Sequence, residues 1–173
     1  METESKANSA SSEIEDLKKR LQTLEDEKQI IETLHRYSHT IDYGPPEAWA
    51  GVFTEDGVFD VYRINGRKTH KESGRKELAN YLSTKRLPPL LYDKHLVCSP
   101  VISIEGNTAK VESYVVLLRE MEEGGATVAS WGRYHDTLAK QADGKWLIKE
   151  RLAEMEVGVG RTYKAEWEPP PSK

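Results

Sequence analysis

Three short turn signals, Glu105-Gly106-Asn107, Glu123-Gly124-Gly125 and Asp143-Gly144, divide the second half of this chain into four long runs rich in β-branched and aromatic residues. Glycine tolerates positive φ, and Asn and Asp hydrogen-bond their own backbone, so such clusters mark tight reversals rather than crossovers. Strands joined by tight reversals run antiparallel. Residues 94–104, 108–121, 126–140 and 145–155 are therefore predicted to form an antiparallel meander. Each run exceeds the usual strand of about 5–6 residues, and long strands bend or bulge. A strongly curved sheet follows. In the first run Val97 and Val101 alternate onto one face, and Leu96, Cys98 and Ile102 onto the other. A sheet apolar on both faces covers helices with one and meets a partner subunit with the other.

The first half follows a different period. Ile14, Leu17, Leu21 and Leu24 recur at spacings of three and four with Glu and Lys between them, which predicts an amphipathic helix over residues 13–27. Two heptads are fewer than the three or four that argue a coiled coil. Apolar spacing resumes through Ile30, Ile31, Leu34, Tyr37 and Ile41, a second helical stretch that Gly44-Pro45-Pro46 must end. Residues 47–53 read as a short helix carrying Trp49 and Phe53, and residues 57–63 alternate as a strand. Asn65-Gly66 marks a hairpin turn, after which residues 72–85 return to helical spacing through Leu78, Tyr81 and Leu82 until Pro88 and Pro89. Helices packed on one side of a curved antiparallel sheet make an α+β cone whose open end is a natural pocket. One domain is expected over residues 13–156, with a disordered N-terminus at 1–12 and an extended tail at 157–173.

Composition narrows the function classes. At 37% hydrophobic and 31% charged the chain sits among globular proteins, and no apolar run approaches the roughly 20 residues of a spanning helix. The first dozen residues lack the hydrophobic core of a secretory signal, which predicts a cytoplasmic protein with no membrane partner. The single Cys98 excludes an intramolecular disulfide. Net charge is −4 with basic and acidic residues interleaved, so no nucleic-acid partner is expected. His35 and His39 have metal-ligand spacing, but no third ligand supports them, and a solvated helix face is the expected role. Without a Gly-rich phosphate loop, a Ser nucleophile elbow or a Cys pair, neither metal nor cofactor is predicted.

Two residues carry acid/base chemistry. Asp42 stands where a helix is about to break, and His95 opens an apolar strand. Imidazole titrates near neutrality, so it accepts or donates protons in water. A carboxylate bound to one ring nitrogen fixes the tautomer, raises the basicity of the other nitrogen and stabilises the imidazolium. Read on residue types alone, the same pair is an Asp beside a helix end and a histidine satisfied in the core. Farther along, Trp131, Arg133 and His135 share one strand face while Gly132, Tyr134 and Asp136 share the other. Alternation leaves open which looks inward; Trp131 and His135 are taken as pocket-lining.

These elements, with Tyr37-x-x-x-x-Asp42, Phe53-Thr54-Glu55-Asp56-Gly57, His95, Gly132-x-Tyr134-x-Asp136 and Asp143-Gly144-x-Trp146, resemble the SnoaL-like family of the nuclear transport factor 2-like superfamily. Within it the chain is similar to the scytalone dehydratases and the bile-acid 7α-dehydratases. The resemblance implies an active-site pair at Asp42 and His95, a helix tyrosine at Tyr37 and, with one residue inserted, a pocket tyrosine at Tyr62. An assisting acidic residue of the bile-acid enzymes falls near Leu118 or Arg119, where this chain departs. Five residues on a regular helix turn by about 140°, so Tyr37 and Asp42 share a pocket only if the helix frays before Gly44; otherwise Tyr37 is a core residue of the Leu34, Tyr37, Ile41 stripe, and Tyr62 is equally open to core packing. The implied activity is a cofactor-independent dehydratase or isomerase of a small, largely apolar hydroxy or keto metabolite of polyketide, terpenoid or steroid type. A cyclase and a non-catalytic small-molecule-binding module stand beside it, because this superfamily reuses one cone for many tasks. Relatives assemble as dimers or trimers, and a homotrimer is expected.

Overall fold

The computed structural model describes residues 2–63, 68–85, 93–121 and 123–158. Its first element, α1 (Glu2–Tyr43), is one unbroken helix of 42 residues, where the pattern predicts two stretches preceded by disorder over residues 1–12. No Gly or Pro occurs between Glu2 and Tyr43, so nothing in the backbone interrupts the helix where its apolar residues change face. Asp26, Ile30, Thr33, Leu34 and Tyr37 are buried against the body, whereas Ile14 to Leu24 stand exposed. The helix stops as Gly44 N–H donates to Thr40 O at 3.0 Å and two prolines follow. Pro46 then opens α2 (Pro46–Ala50), where its fixed φ suits a first helical turn.

β1 (Phe53–Arg63) pairs antiparallel with β2 (Lys68–Ser73), and α3 (Arg75–Lys85) follows. β2 is a correction to the sequence reading, which runs a helix from residue 72. Its Lys-Thr-His-Lys-Glu-Ser composition hides the strand, because an edge strand is commonly polar and charged. Gly74, at φ 84°, makes the turn into α3. The Asn65-Gly66 turn, Pro88, Pro89 and the tail from residue 159 lie outside the described residues.

The meander comprises β3 (Asp93–Glu105), β4 (Thr108–Glu120), β5 (Ala126–Lys140) and β6 (Trp146–Gly158), and the sheet order is β2-β1-β6-β5-β4-β3. Neighbours are antiparallel except β1 and β6, which run parallel. The sheet is thus curved and mixed, with the helices on one face. No turn links β1 to β6, so local chemistry could not announce the direction of that seam. A bulge between Cys98 and Val101, with Ser99 at φ 52°, also changes the faces predicted for β3. It puts Ile102 opposite buried Val111 and Val101 opposite exposed Glu112, so Val97 and Ile102 share the inner face.

The core lies between this inner face and α1, α2 and α3, around Trp49, Phe53, Leu78, Leu138, Trp146 and Ile148. Polar ties lock the helices in place. Asp26 accepts from Trp146 Nε1 at 2.8 Å and from Lys140 Nζ at 2.7 Å, and Thr33 Oγ1 donates to Trp146 O at 2.7 Å. Burial pushes the Asp26 carboxyl up, but those hydrogen bonds and the Lys140 charge outweigh it and hold its pKa below the ordinary value. Arg75 reaches from α3 to Phe53 O at 2.7 Å and 2.9 Å. No helix among the described residues is long and apolar enough to cross a membrane.

Candidate active site

Burial along the inner face falls from one end of the sheet to the other. Phe53, Val111, Leu138 and Ile148 are sealed at one end, while Val61, Val97, Leu117 and Met155, nearer the other, are half-buried. These four point to the same side as buried Val115, Tyr134 and Ala153, so among the described residues the inner face is least covered at their end. There the last turn of α1 meets the first residues of β3.

That meeting places Asp42 against His95. Nδ1 of the ring lies 2.6 Å from Asp42 Oδ1, and the His95 backbone N–H donates to Oδ2 at 3.0 Å. The side chain of Asp42 is 5% exposed and that of His95 21%, so the carboxylate is sealed while the ring stays partly exposed. A carboxylate in the last turn of a long helix faces the negative end of the macrodipole, a position that usually costs a few tenths to about 1 kcal/mol. The two His95 donors offset that cost. With Nδ1–H donating to the carboxylate, a neutral ring presents Nε2 as a proton acceptor.

Two more polar groups lie at this end of the sheet. Asp93, two residues before His95 and on the same face, forms a bidentate pair with Arg119 at 2.9 Å and 2.7 Å. The Arg119 hydrogen bond holds the Asp93 carboxyl below its ordinary pKa. Across the sheet, His70 of β2 pairs with inward-facing Val61, stacks on Tyr81 at 3.8 Å and lies 3.2 Å from Glu72. Burial pushes the Tyr81 hydroxyl up. Sequence reading missed His70 because it missed β2, and missed Asp93 because long-range ion pairs have no local signal.

Deeper in, Arg151 is fully buried and donates to Asp136 at 2.8 Å and 2.6 Å. Its guanidinium lies between the rings of Tyr37 and Tyr134, 3.9 Å and 4.0 Å from their centroids. Burial pulls the arginine down and the Asp136 charge more than restores it, so it stays cationic. Burial pushes both tyrosines up, which keeps them protonated.

The other expected site residues are placed differently. Tyr37 is fully buried among Trp49, Phe53, Tyr134 and Arg151, a core position rather than one beside the dyad. Its hydroxyl sits next to Tyr134 and Arg151 without meeting either in hydrogen-bond geometry. The helix stays regular to Tyr43, so the fraying that would turn Tyr37 toward Asp42 does not occur. Tyr62 pairs with Glu154 on the outer face and donates to Asp60 at 3.2 Å. Trp131 and His135 also lie on the outer face and so do not line the interior. Trp131 is 43% exposed opposite Val116, and His135 lies 3.2 Å from Glu154. The inward face of β5 is the one with Gly132, Tyr134 and Asp136. His35 and His39 are exposed on α1.

Comparison with known proteins agrees with this architecture. The family model described as a SnoaL-like domain matches residues 22–152. No curated protein matches the chain. Among solved structures, Rv3472, a protein of unknown function from Mycobacterium tuberculosis, is 27% identical at TM-score 0.68, covering 79% of this chain and 75% of that one. A protein from Catenulispora acidiphila, solved in complex with S-DNPA, is 27% identical at TM-score 0.63, covering 74% and 91%. A protein from Novosphingobium aromaticivorans described as NTF2-like with a cystatin-like fold shares the fold at 22% identity and TM-score 0.68, covering 84% and 90%.

Proposed function

The chain belongs to the SnoaL-like domain family, and we propose that it is an acid/base lyase or isomerase of a small, largely apolar hydroxy or keto compound. The observation that carries this reading is the 2.6 Å contact between a sealed Asp42 carboxylate and a partly exposed His95 ring on the inner face of the sheet. In the proposed step His95 Nε2 takes a proton from carbon next to a substrate carbonyl, and Asp42 stabilises the imidazolium that forms. In a dehydration the electron pair forms the C=C bond as the hydroxyl departs, taking the proton from His95 to leave as water. In an isomerisation His95 returns the proton to another carbon. The half-buried Val61, Val97, Leu117 and Met155 suit an apolar body, and the Arg119–Asp93 pair lies where a polar end would emerge.

A second reading is binding without turnover, and the Catenulispora neighbour, solved in complex with S-DNPA, is compatible with either. Deuterium exchange separates the two without knowledge of the natural substrate. The protein is incubated in D2O with a panel of bicyclic ketones and β-hydroxyketones, and label next to the carbonyl and loss of water are read by mass spectrometry. Proton abstraction predicts labelling by the wild type and a loss of about 10²-fold or more in His95→Ala and Asp42→Asn. Tight retention of a ketone with no label supports the binding reading. Labelling undiminished in both variants removes the dyad.

A further inference from the structure

We propose that the projecting half of α1 joins a second copy of this chain in a parallel, two-stranded coiled coil. Ile14, Leu17, Leu21 and Leu24 occupy heptad positions a, d, a and d, and the phase continues through Lys28 at a and Ile31 at d. The four leading residues are 53–63% exposed on a single chain. They do not extend the stripe that faces the body. Asp26 and Thr33 fall at position f, Ile30 and Tyr37 at position c, and at about 100° per residue that side lies about half a turn from the a/d seam, with buried Leu34, at g, reaching the seam only beyond its projecting part. The helix therefore buries one side against its own sheet and turns its apolar seam away from it.

Charge selects the occupant and its direction. In a parallel pair each g residue meets the next e residue of the partner, so Glu13 faces Lys18 of the partner subunit and Arg20 faces Glu25 of the partner subunit, two attractive pairs against one like-charged pair, Glu27 facing Glu32 of the partner subunit. Two-fold symmetry doubles both attractive pairs. An antiparallel pair centred on the same seam sets Glu13 against Glu27 of the partner subunit, and Arg20 and Lys18 each against its own equivalent. All of those are repulsive. Leu at the first two d positions, 17 and 24, and β-branched Ile14 at the first a position, ahead of Leu21 at the second, suit two strands, and Lys28 puts a polar residue at a, a device that specifies register and strand number. A dimer thus replaces the trimer that the family resemblance implies.

Cysteine trapping tests the seam in the full-length protein. The background is Cys98→Ser, which removes the one native thiol, itself exposed. Under oxidation Leu24→Cys, at d, should convert nearly all chains into covalent dimers, while Thr23→Cys, at c, stays monomeric on a non-reducing gel. Adding Glu13→Lys with Arg20→Glu to the Leu24→Cys chain makes every parallel pair repulsive and should abolish the link. Lys18→Glu with Glu25→Lys should do the same in a second chain. Mixing the two chains restores every attraction, and heterodimer should form as efficiently as in the parent. Equal linking at Leu24→Cys and Thr23→Cys overturns the proposal, as does linking unaffected by the charge changes. A plateau near two-thirds of the chains, the most that disulfide pairing within a trimer allows, overturns the two-stranded geometry.

Discussion

Replacing Asp136 by Val should destabilise the protein by about 3 kcal/mol, and replacing Arg151 by Met should cost about 4 kcal/mol at pH 7. Both side chains of this pair are 0% exposed, so either single change strands an ion inside the core. Breaking a buried pair from one side usually costs about 3–5 kcal/mol. The Asp136→Val cost falls at the low end because the Tyr37 and Tyr134 ring faces still cradle the guanidinium, an interaction worth up to about 2 kcal/mol when desolvated. The Arg151→Met cost has a different ceiling, since the stranded carboxyl can escape by taking a proton. At pH 7 that costs about 1.4 kcal/mol for each of the roughly three pH units above a carboxyl's solution pKa. The Arg151→Met deficit should therefore be small near pH 4 and grow with rising pH, whereas Asp136→Val should show no such slope. The double variant leaves no stranded charge and should be more stable than either single variant. Urea unfolding followed by the fluorescence of buried Trp49 and Trp146, at one fixed protein concentration, measures all four corners of the cycle. Costs that simply add in the double variant, or an Asp136→Val cost under about 1 kcal/mol, would refute the account of this pair as a single buried unit.

Asp26→Ala removes the acceptor of Lys140 and Trp146 and should cost about 2–3 kcal/mol in urea unfolding, because the Trp146 N–H is left buried. The wild-type carboxyl has a lowered folded pKa, so its contribution is complete above the unfolded value of about 3.9 and is lost as pH falls through the lower folded value. The gap between the wild type and Asp26→Ala should accordingly narrow at the acid end, and a constant gap down to pH 2 would contradict the ionised latch. Gly132→Ala should cost more than about 2 kcal/mol or prevent folding, since an added Cβ would clash with the Glu154 backbone oxygen at the β5–β6 bulge. A thermal midpoint unchanged from wild type would show that the strands part there without cost.

Much of this molecule follows from residues close together in the chain. The break at Gly44-Pro45-Pro46, the glycine reversals at 106, 124–125 and 144 and the period-two runs between them define helices first and a meander after, because proline geometry, positive φ and side-chain alternation are properties of neighbouring residues. The same local chemistry makes Asp42 and His95 conspicuous, one a carboxylate at a helix end and the other a lone histidine opening a strand. Which side chains share a space is a different matter. One inserted residue at Ser99 reverses the faces of β3 beyond it, and the parallel seam between β1 and β6 puts Tyr62 outside with Glu154. Trp131 and His135 alternate as cleanly as Tyr134 and Asp136, yet only the latter meet Tyr37 and Arg151, because a period of two assigns residues to two faces without saying which one the helices cover. Tertiary packing made that choice, and with it decided that Tyr37 braces the core while Asp42, five residues later on the same helix, reaches His95.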